Sequence, residues 1–399
     1  MACFKSLVLF LSCHIWTIST FSLNDPMRLS QIYNERGCDG ILDEEARHDI
    51  DIDRADKITA QRQVEVIMEA ASENVGVAAS MLNAVLATLK AGQEGDALDL
   101  LKCGEEKGIE PDIVSISLCT SLLLSSGDDG SAEDLLGVAR KKVRRKRRRA
   151  EAAARRKGGG GGKSAFEKAD CRILYEDSSF AIVYKPPGMA CHGGKDKGKT
   201  LEDALRACWG TELSQITEAA GIVHRLDKGV SGCMAVAKTD VAAARLISAF
   251  FKREIKKTYT SLNVGVPDAE EGVVEIPVGF MKLPARSTFK VVGVGEEASQ
   301  LQVKTSTGRK HQVREHTALG LGTPIISDPL FDKGGDKIVP AAVKKLREEA
   351  PKNCFYLHCE ELVVPVGVGL TDVDVLVTAD VPDFWRLGVE SIINKDRSF

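Results

Sequence analysis

The sequence predicts an α+β catalytic domain behind a small all-α helical-repeat region. Between Lys57 and Leu136 the apolar residues, among them Val64, Ile67, Met68, Met81, Leu82, Val85 and Leu86, follow the period of a helix. From Phe166 to Leu387 short β-branched runs alternate with helical patterns, as expected of helices flanking a largely antiparallel or mixed sheet. A length of 399 residues exceeds the usual single domain and agrees with two compact regions.

Composition narrows the class. Apolar residues make up 43% and charged residues 28%, enough for a sizeable core and too apolar for wholesale disorder. The 54 Lys and Arg nearly balance 57 Asp and Glu, so the net charge of −3 does not announce a nucleic-acid binder, and any such role rests on local clustering. The 11 cysteines include no C-x-x-C pair, Cys354 and Cys359 coming nearest. They read as reduced, mostly buried thiols without a structural zinc.

Taken in order, residues 1–23 read as a signal-type targeting segment. Leu7 to Leu23 is apolar behind Lys5 but is broken by Ser12, Cys13, His14 and Thr17, whereas a membrane span needs about 20 predominantly apolar residues. A misassigned start is the other reading. The acids that follow (Asp25, Glu35, Asp39, Asp43) do not suit a typical mitochondrial presequence. An organellar destination, plastid or mitochondrion, is expected from this segment, with nucleus or cytoplasm as the alternative. Residues 24–56 form a polar linker.

Residues 57–137 carry a repeat. Gly92 and Gly127, Ala97 and Ala132, Leu100 and Leu135, and Leu101 and Leu136 all stand 35 positions apart, which argues for a duplicated helical hairpin. Residues 138–165 read as a basic and Gly-rich linker: twelve Lys or Arg against the single acid Glu151 lie between Arg140 and Lys157, and five glycines run from Gly158 to Gly162. Such a run can hold phosphates through counterion release, serve as a nuclear address, or be a solvated helix end.

Residues 166–390 form the catalytic domain, with a tail at 391–399. Strands are expected at Ala181 to Tyr184, Gly232 to Ala237, Thr258 to Val264, Leu301 to Thr305 and Val373 to Thr378. Helices are expected at Leu201 to Cys208, Asp240 to Ile255 and Arg309 to Leu319.

Four motifs in this domain could carry chemistry. Gly193 to Thr200 satisfies the P-loop pattern, but its strand does not run directly into the loop and no second magnesium-binding motif follows. The context favours a flexible basic loop whose Thr200 caps the next helix. Next, Gly221-Ile-Val-His224-Arg225-Leu226-Asp227 leads to Ser231-Gly232. A carboxylate beside guanidinium groups stays ionised and can act as nucleophile or base, so Asp227 is the best catalytic candidate, a structural Arg225 to Asp227 pair being the alternative. Third, Gly308 turns the chain into Arg309-Lys310-His311-Gln312-Val313-Arg314, where a helix would place His311 and Arg314 on one face. Last, in the strand Lys257-Thr-Tyr259, Tyr259 points away from the face of Leu262 and Val264, where an aromatic can stack on a nucleobase or simply pack.

Together with Ile173 to Asp177, Lys185-Pro186-Pro187-Gly188, Asp328-Pro329-Leu330, Leu357-His358 and Pro382-Asp-Phe384, these motifs resemble in content and order the RluA-type pseudouridine synthases, from about Ile173 to Leu387. The resemblance implies a catalytic domain with a mixed, mainly antiparallel sheet flanked by helices. It implies an isomerase that turns uridine into pseudouridine in structured RNA, ribosomal or transfer, with neither metal nor cofactor. The N1–C1′ bond breaks, the uracil turns, and C5 bonds to C1′.

By the same resemblance Asp227 is the essential carboxylate, acting at the ribose or in proton abstraction. Arg314 is its partner, and Tyr259 stacks on the uracil, with assistance in removing the C5 proton as a second implied role. His224, Arg225, Arg309, His311 and Gln312 are implied on the substrate side. Val230, Lys310, Ser327 and Phe331 stand where the family commonly has Thr, Thr, Gly and Tyr. In the first region, Asn83 to Gly92, Ala97 to Leu101 and Lys107 to Asp112 resemble a pentatricopeptide repeat, one full and one partial, a generic helical pair being the other reading. A monomer acting on RNA, without a stable membrane span, is the expected state. The competing readings are an RNA-binding protein without turnover and a nucleotide hydrolase using Lys199 and Thr200.

Overall fold

The computed structural model describes residues 75–156, 171–193, 199–210, 212–295, 297–333 and 341–385, with short stretches at 63–65, 67–68, 389 and 393–394. The expected targeting segment, the polar linker, the five glycines, most of the P-loop match and most of the tail lie outside the described residues. No helix among the described residues is long and apolar enough to cross a membrane. The chain divides into two compact units, one ending at Gly127 and one starting at Asp128, so the boundary falls earlier than the sequence suggests.

The first unit is helical: α1 (Val75–Leu86), α2 (Glu94–Glu106) and α3 (Ile113–Ser126). Asp112 starts α3 with a capping box, accepting from the Ser115 amide at 2.8 Å, and Gly127 ends it in the left-handed conformation at φ 82°. Leu82, Leu100, Ile109, Ile116 and Leu123 are buried. Gly92 also has positive φ, and the helices starting at Glu94 and Asp129 keep the offset of the sequence repeat.

The second unit opens with α4 (Asp129–Arg156). Here the expectation of a linker from residue 138 is corrected, because Lys, Arg and Ala are strong helix formers and the run is helical through Arg156. Ala132, Leu136, Ala139 and Val143 bury one face of it.

A ten-stranded sheet follows. Its strands are β1 (Ile173–Glu176), β2 (Phe180–Lys185), β3 (Ser231–Ala237), β4 (Lys256–Val264), β5 (Glu271–Val274), β6 (Ser287–Gly295), β7 (Ala298–Thr305), β8 (Leu357–Val364), β9 (Val375–Thr378) and β10 (Ile393–Asn394). The order is β1-β2-β3-β8-β4-β7-β6-β10, with β5 on β6 and β9 on β8. Every named pairing is antiparallel except β3 with β8, so the sheet is mixed and mainly antiparallel, as expected. The parallel seam is tight: at Gly232, φ 119°, a Cβ would lie 2.1 Å from the Cys359 carbonyl oxygen.

Helices α5 (Leu201–Trp209) and α6 (Asp240–Lys252) are close to expectation. Thr200 caps α5 in a reciprocal box with Asp203, the cap expected of it. The helix expected from Arg309 is corrected. His311 sits at φ 60°, in the left-handed region, so the helical path starts only after it. Helix α7 (Gln312–Glu315) spans 4 residues, and a π-turn continues through Gly320. The later helix α8 is Ala341–Glu349.

Candidate active site

The site forms where the central strands meet. Alternation puts Lys257 and Tyr259 of β4, Thr305 of β7 and Leu357 of β8 on one face, while Thr258, Thr260 and Leu262 are buried on the other. Over that face lies a cleft of about 260 Å3. One wall is the loop entering β3, with Arg225 and Asp227, and the other is the segment after β7, with Arg309, Lys310, His311 and Arg314.

Asp227 sits in a turn closed by the Val230 amide donating to its carbonyl at 3.0 Å. Two features hold this turn. Gly229 packs so closely on Phe355 that a Cβ would stand 2.2 Å from its ring. Buried Lys185, at the end of β2, donates to the carbonyls of Pro186, Met189 and Lys228 at 3.0, 2.8 and 3.2 Å. Burial pulls the Lys185 ammonium down to about 8.

Arg314 brings the walls together. Its Nε and Nη2 donate to the two oxygens of Asp328 at 2.7 Å each, and its Nη1 donates to Asp227 Oδ2 at 3.0 Å. Asp328 is fully buried and Arg314 nearly so. Burial opposes the guanidinium charge, but the hydrogen bonds and charges of Asp328 and Asp227 outweigh it, and the pKa is raised. The guanidinium also lies 4.7 Å from the Phe355 ring centre, so one aromatic side chain registers both Arg314 and the Asp227 turn.

His311, expected to share a helix face with Arg314, reaches the same carboxylate without that helix: its Nε2 stands 3.7 Å from Asp227 Oδ2. Burial lowers its pKa against the opposing pull of Asp227. Burial raises the Tyr259 phenol well above its ordinary value, with Cys359 and Asp227 adding to the effect, and lowers Lys257. The cleft thus gathers Arg225, Lys257, Arg309, Lys310 and Arg314 around Asp227, the single lining carboxylate among the described residues.

Two expected substrate-side residues have other surroundings. His224 does not line the cleft; its Nε2 accepts from the Ala235 amide at 2.8 Å and its ring lies on Phe250, centres 4.4 Å apart. Gln312 borders the cleft, but its amide is occupied in bracing the wall. It accepts from Thr307 Oγ1 and the Arg309 amide and donates to the Arg286 carbonyl and Ser287 Oγ. Sequence reasoning gives Lys185 and Phe355 no role in the site, and it places Asp328 only within the late motif of the family resemblance, without a role of its own. The position of Asp328 before Pro329 is the one sequence signal it offers. Ser327 occupies φ 66°, the left-handed conformation that glycine favours, held by its amide donating to Asp332 at 2.9 Å.

Residues 179–319 match the family model described as RNA pseudouridylate synthase. An uncharacterised RNA pseudouridine synthase of Zymomonas mobilis is 30% identical over 181 residues, 42% of this chain and 80% of that protein. A mitochondrial pseudouridylate synthase of Xenopus tropicalis is 26% identical over 51% of this chain and 75% of its own length. Ribosomal large subunit pseudouridine synthase D of Nitrosomonas europaea is 33% identical over 46% of this chain and 56% of its length. The ordered motifs, the sheet that assembles them and these likenesses agree, and the chain belongs to the RluA-type RNA pseudouridine synthases, isomerases that act on RNA.

Proposed function

We propose that Asp227 is the essential carboxylate of uridine isomerisation, with Arg314 as its fixed counter-ion. The observation that carries this is the geometry of the carboxylate. Oδ2 is held by Arg314, whereas Oδ1 makes no hydrogen bond among the described residues and belongs to a side chain lining the cleft. An ionised carboxylate so placed can act at the ribose or at the C5 proton once the base has left its stack. The reaction balances within the nucleotide: the N1–C1′ bond breaks, C5 bonds to C1′, C5 loses a proton and N1 gains one.

Tyr259 is the wall for the uracil. Its raised pKa keeps the phenol protonated, which suits stacking better than proton removal. Arg225, Arg309, Lys310 and His311 take the phosphates beside the target nucleotide. His224 and Gln312 act behind the surface, positioning β3 and the Arg309 loop. The substrate is structured RNA of the ribosomal or transfer class, and the mitochondrial Xenopus relative supports an organellar location.

The test is tritium release from cellular RNA carrying 5-tritiated uridine, because bond formation at C5 expels that hydrogen. Wild type should release tritium, and Asp227→Ala should release none while still binding RNA. Turnover retained by Asp227→Ala would overturn the assignment.

A further inference from the structure

Helix α4 carries more positive charge than its attachment to the sheet domain uses. Arg140 Nε pairs with Asp240 at 2.5 Å, Lys146 with Glu218 at 2.5 Å, and Arg147 Nη2 donates to the Thr217 carbonyl at 2.9 Å. These contacts fix α4 against the segment that leads into the Asp227 turn. With 3.6 residues per turn, Lys141, Arg145 and Arg148 fall on the opposite side, with Arg144 and Arg149 at its two edges. All five are exposed, and they make no hydrogen bond or ion pair among the described residues.

A helix face that is merely solvated usually interleaves acids at i, i+4. Here Glu151 is the only acid between Arg140 and Lys157, so the cations repel one another. Even the attached side is crowded: burial lowers the Arg147 pKa, and Arg206 lowers it further. A membrane surface is a poor fit, because such helices need a row of bulky apolar residues and this face offers Val138 and Ala152 alone among the described residues.

We propose that the outer face of α4, Lys141, Arg144, Arg145, Arg148 and Arg149, is a second RNA-binding surface that takes a phosphodiester strand outside the cleft. The charge spacing suits it. Five cations along about 12 Å of helix match the roughly 3.4 Å axial spacing of phosphates on one strand, enough to neutralise about three or four. The cleft acts on one nucleotide, and this face adds affinity for the RNA around it. The proposal rests on RNA being the substrate but not on the role of Asp227.

The experiment uses the full chain bearing Asp227→Ala, so that binding is read without turnover. Affinity for a structured RNA transcript is measured by fluorescence anisotropy across a salt series. One variant replaces all five residues by Gln. A charge-matched control replaces the exposed Lys282, Lys290, Lys333, Lys344 and Lys352 by Gln.

Neutralising α4 should weaken binding by about tenfold or more near 0.1 M salt and lower the salt slope by about 2 to 3, at roughly 0.7 per phosphate lost. The control should move both far less. Equal losses in the two variants, or an unchanged slope in the α4 variant, overturn the proposal. So does loss of binding to phosphatidylserine vesicles with RNA affinity unchanged. Circular dichroism melts check that both variants fold. Because no turnover is read, failure here is distinct from failure of the tritium test.

Discussion

Asp328→Asn tests the clamp on Arg314 without changing its shape. Asp328 Oδ1 accepts from both Arg314 Nη2 and the Leu330 amide, whereas Oδ2 accepts, among the described residues, only from Arg314 Nε. The new amide nitrogen therefore takes the Oδ2 place and meets Nε donor to donor. One charge-assisted hydrogen bond is lost, worth about 1.5 to 3 kcal/mol. Breaking a buried ion pair costs about 3 to 5 kcal/mol when a charge is left uncompensated, but Asp227 still faces Arg314, so roughly 2 to 4 kcal/mol is expected. For a domain of this size each kcal/mol lowers Tm by about 2 to 4 °C, so calorimetry should show a fall on the order of 10 °C. Tritium release should also slow by about 10- to 100-fold, because the guanidinium that orients Asp227 is re-aimed. A Tm within about 1 °C of wild type together with unchanged turnover would refute this account of Arg314.

Two further outcomes follow from buried groups away from the cleft. His224, His316 and His358 have lowered pKa values, with burial the leading cause, and His224 reaches about 3. The folded protein then binds fewer protons than the unfolded chain below the ordinary value of about 6.5. Stability is complete above that pH and declines as pH falls, with His224 alone contributing roughly 3 kcal/mol of loss by pH 4. Urea midpoints from pH 7 to 4.5 should show this decline, and His224→Gln, which can still accept from the Ala235 amide, should flatten it; an identical acid limb in the variant would count against the assignment. At the parallel seam, Gly232→Ala meets the Cys359 carbonyl oxygen at 2.1 Å from a backbone at φ 119°. A loss of about 3 kcal/mol or more is expected, and a thermal melt within about 2 °C of wild type would show that the seam relaxes easily.

The strands most legible in the sequence are those with uninterrupted apolar runs. β2 and β3 are buried along nearly their whole length, and their boundaries fall within a residue of the expected spans. β6 and β8 are hidden from such a reading because Lys290 and two glycines interrupt one, while Glu360 and Glu361 interrupt the other. Glu361 is tolerated there because it accepts from Thr258 Oγ1 at 2.9 Å, a partner that only the folded sheet supplies. The same limit separates the site residues. Asp227, Arg314 and Tyr259 carry motif context, whereas the support of the site by Phe355 and Asp328 exists only after strands distant in sequence pair. His224 lies within the motif, yet its ring is taken by Ala235 and Phe250, a contact that spacing along the chain does not encode.

The parallel seam also explains why the site depends on the fold as a whole. Asp227 and Arg314 are 87 positions apart, and no local element links them. Asp227 enters through the loop before β3, while Phe355, which supports both residues, precedes β8. Ser231 of β3 pairs with His358 of β8, and Gly232 lets the two backbones meet there. A second contact, Ser231 Oγ to His358 Nδ1 at 2.8 Å, fixes the seam from the side chains. With Nε2 of His358 donating to the Ala379 carbonyl at 2.9 Å, Nδ1 is the acceptor and the Ser231 hydroxyl the donor. The register between β3 and β8 therefore places Gly229 against Phe355, and Phe355 in turn places Arg314 against Asp227. Widening the seam would separate the carboxylate from its counter-ion even with every cleft residue intact.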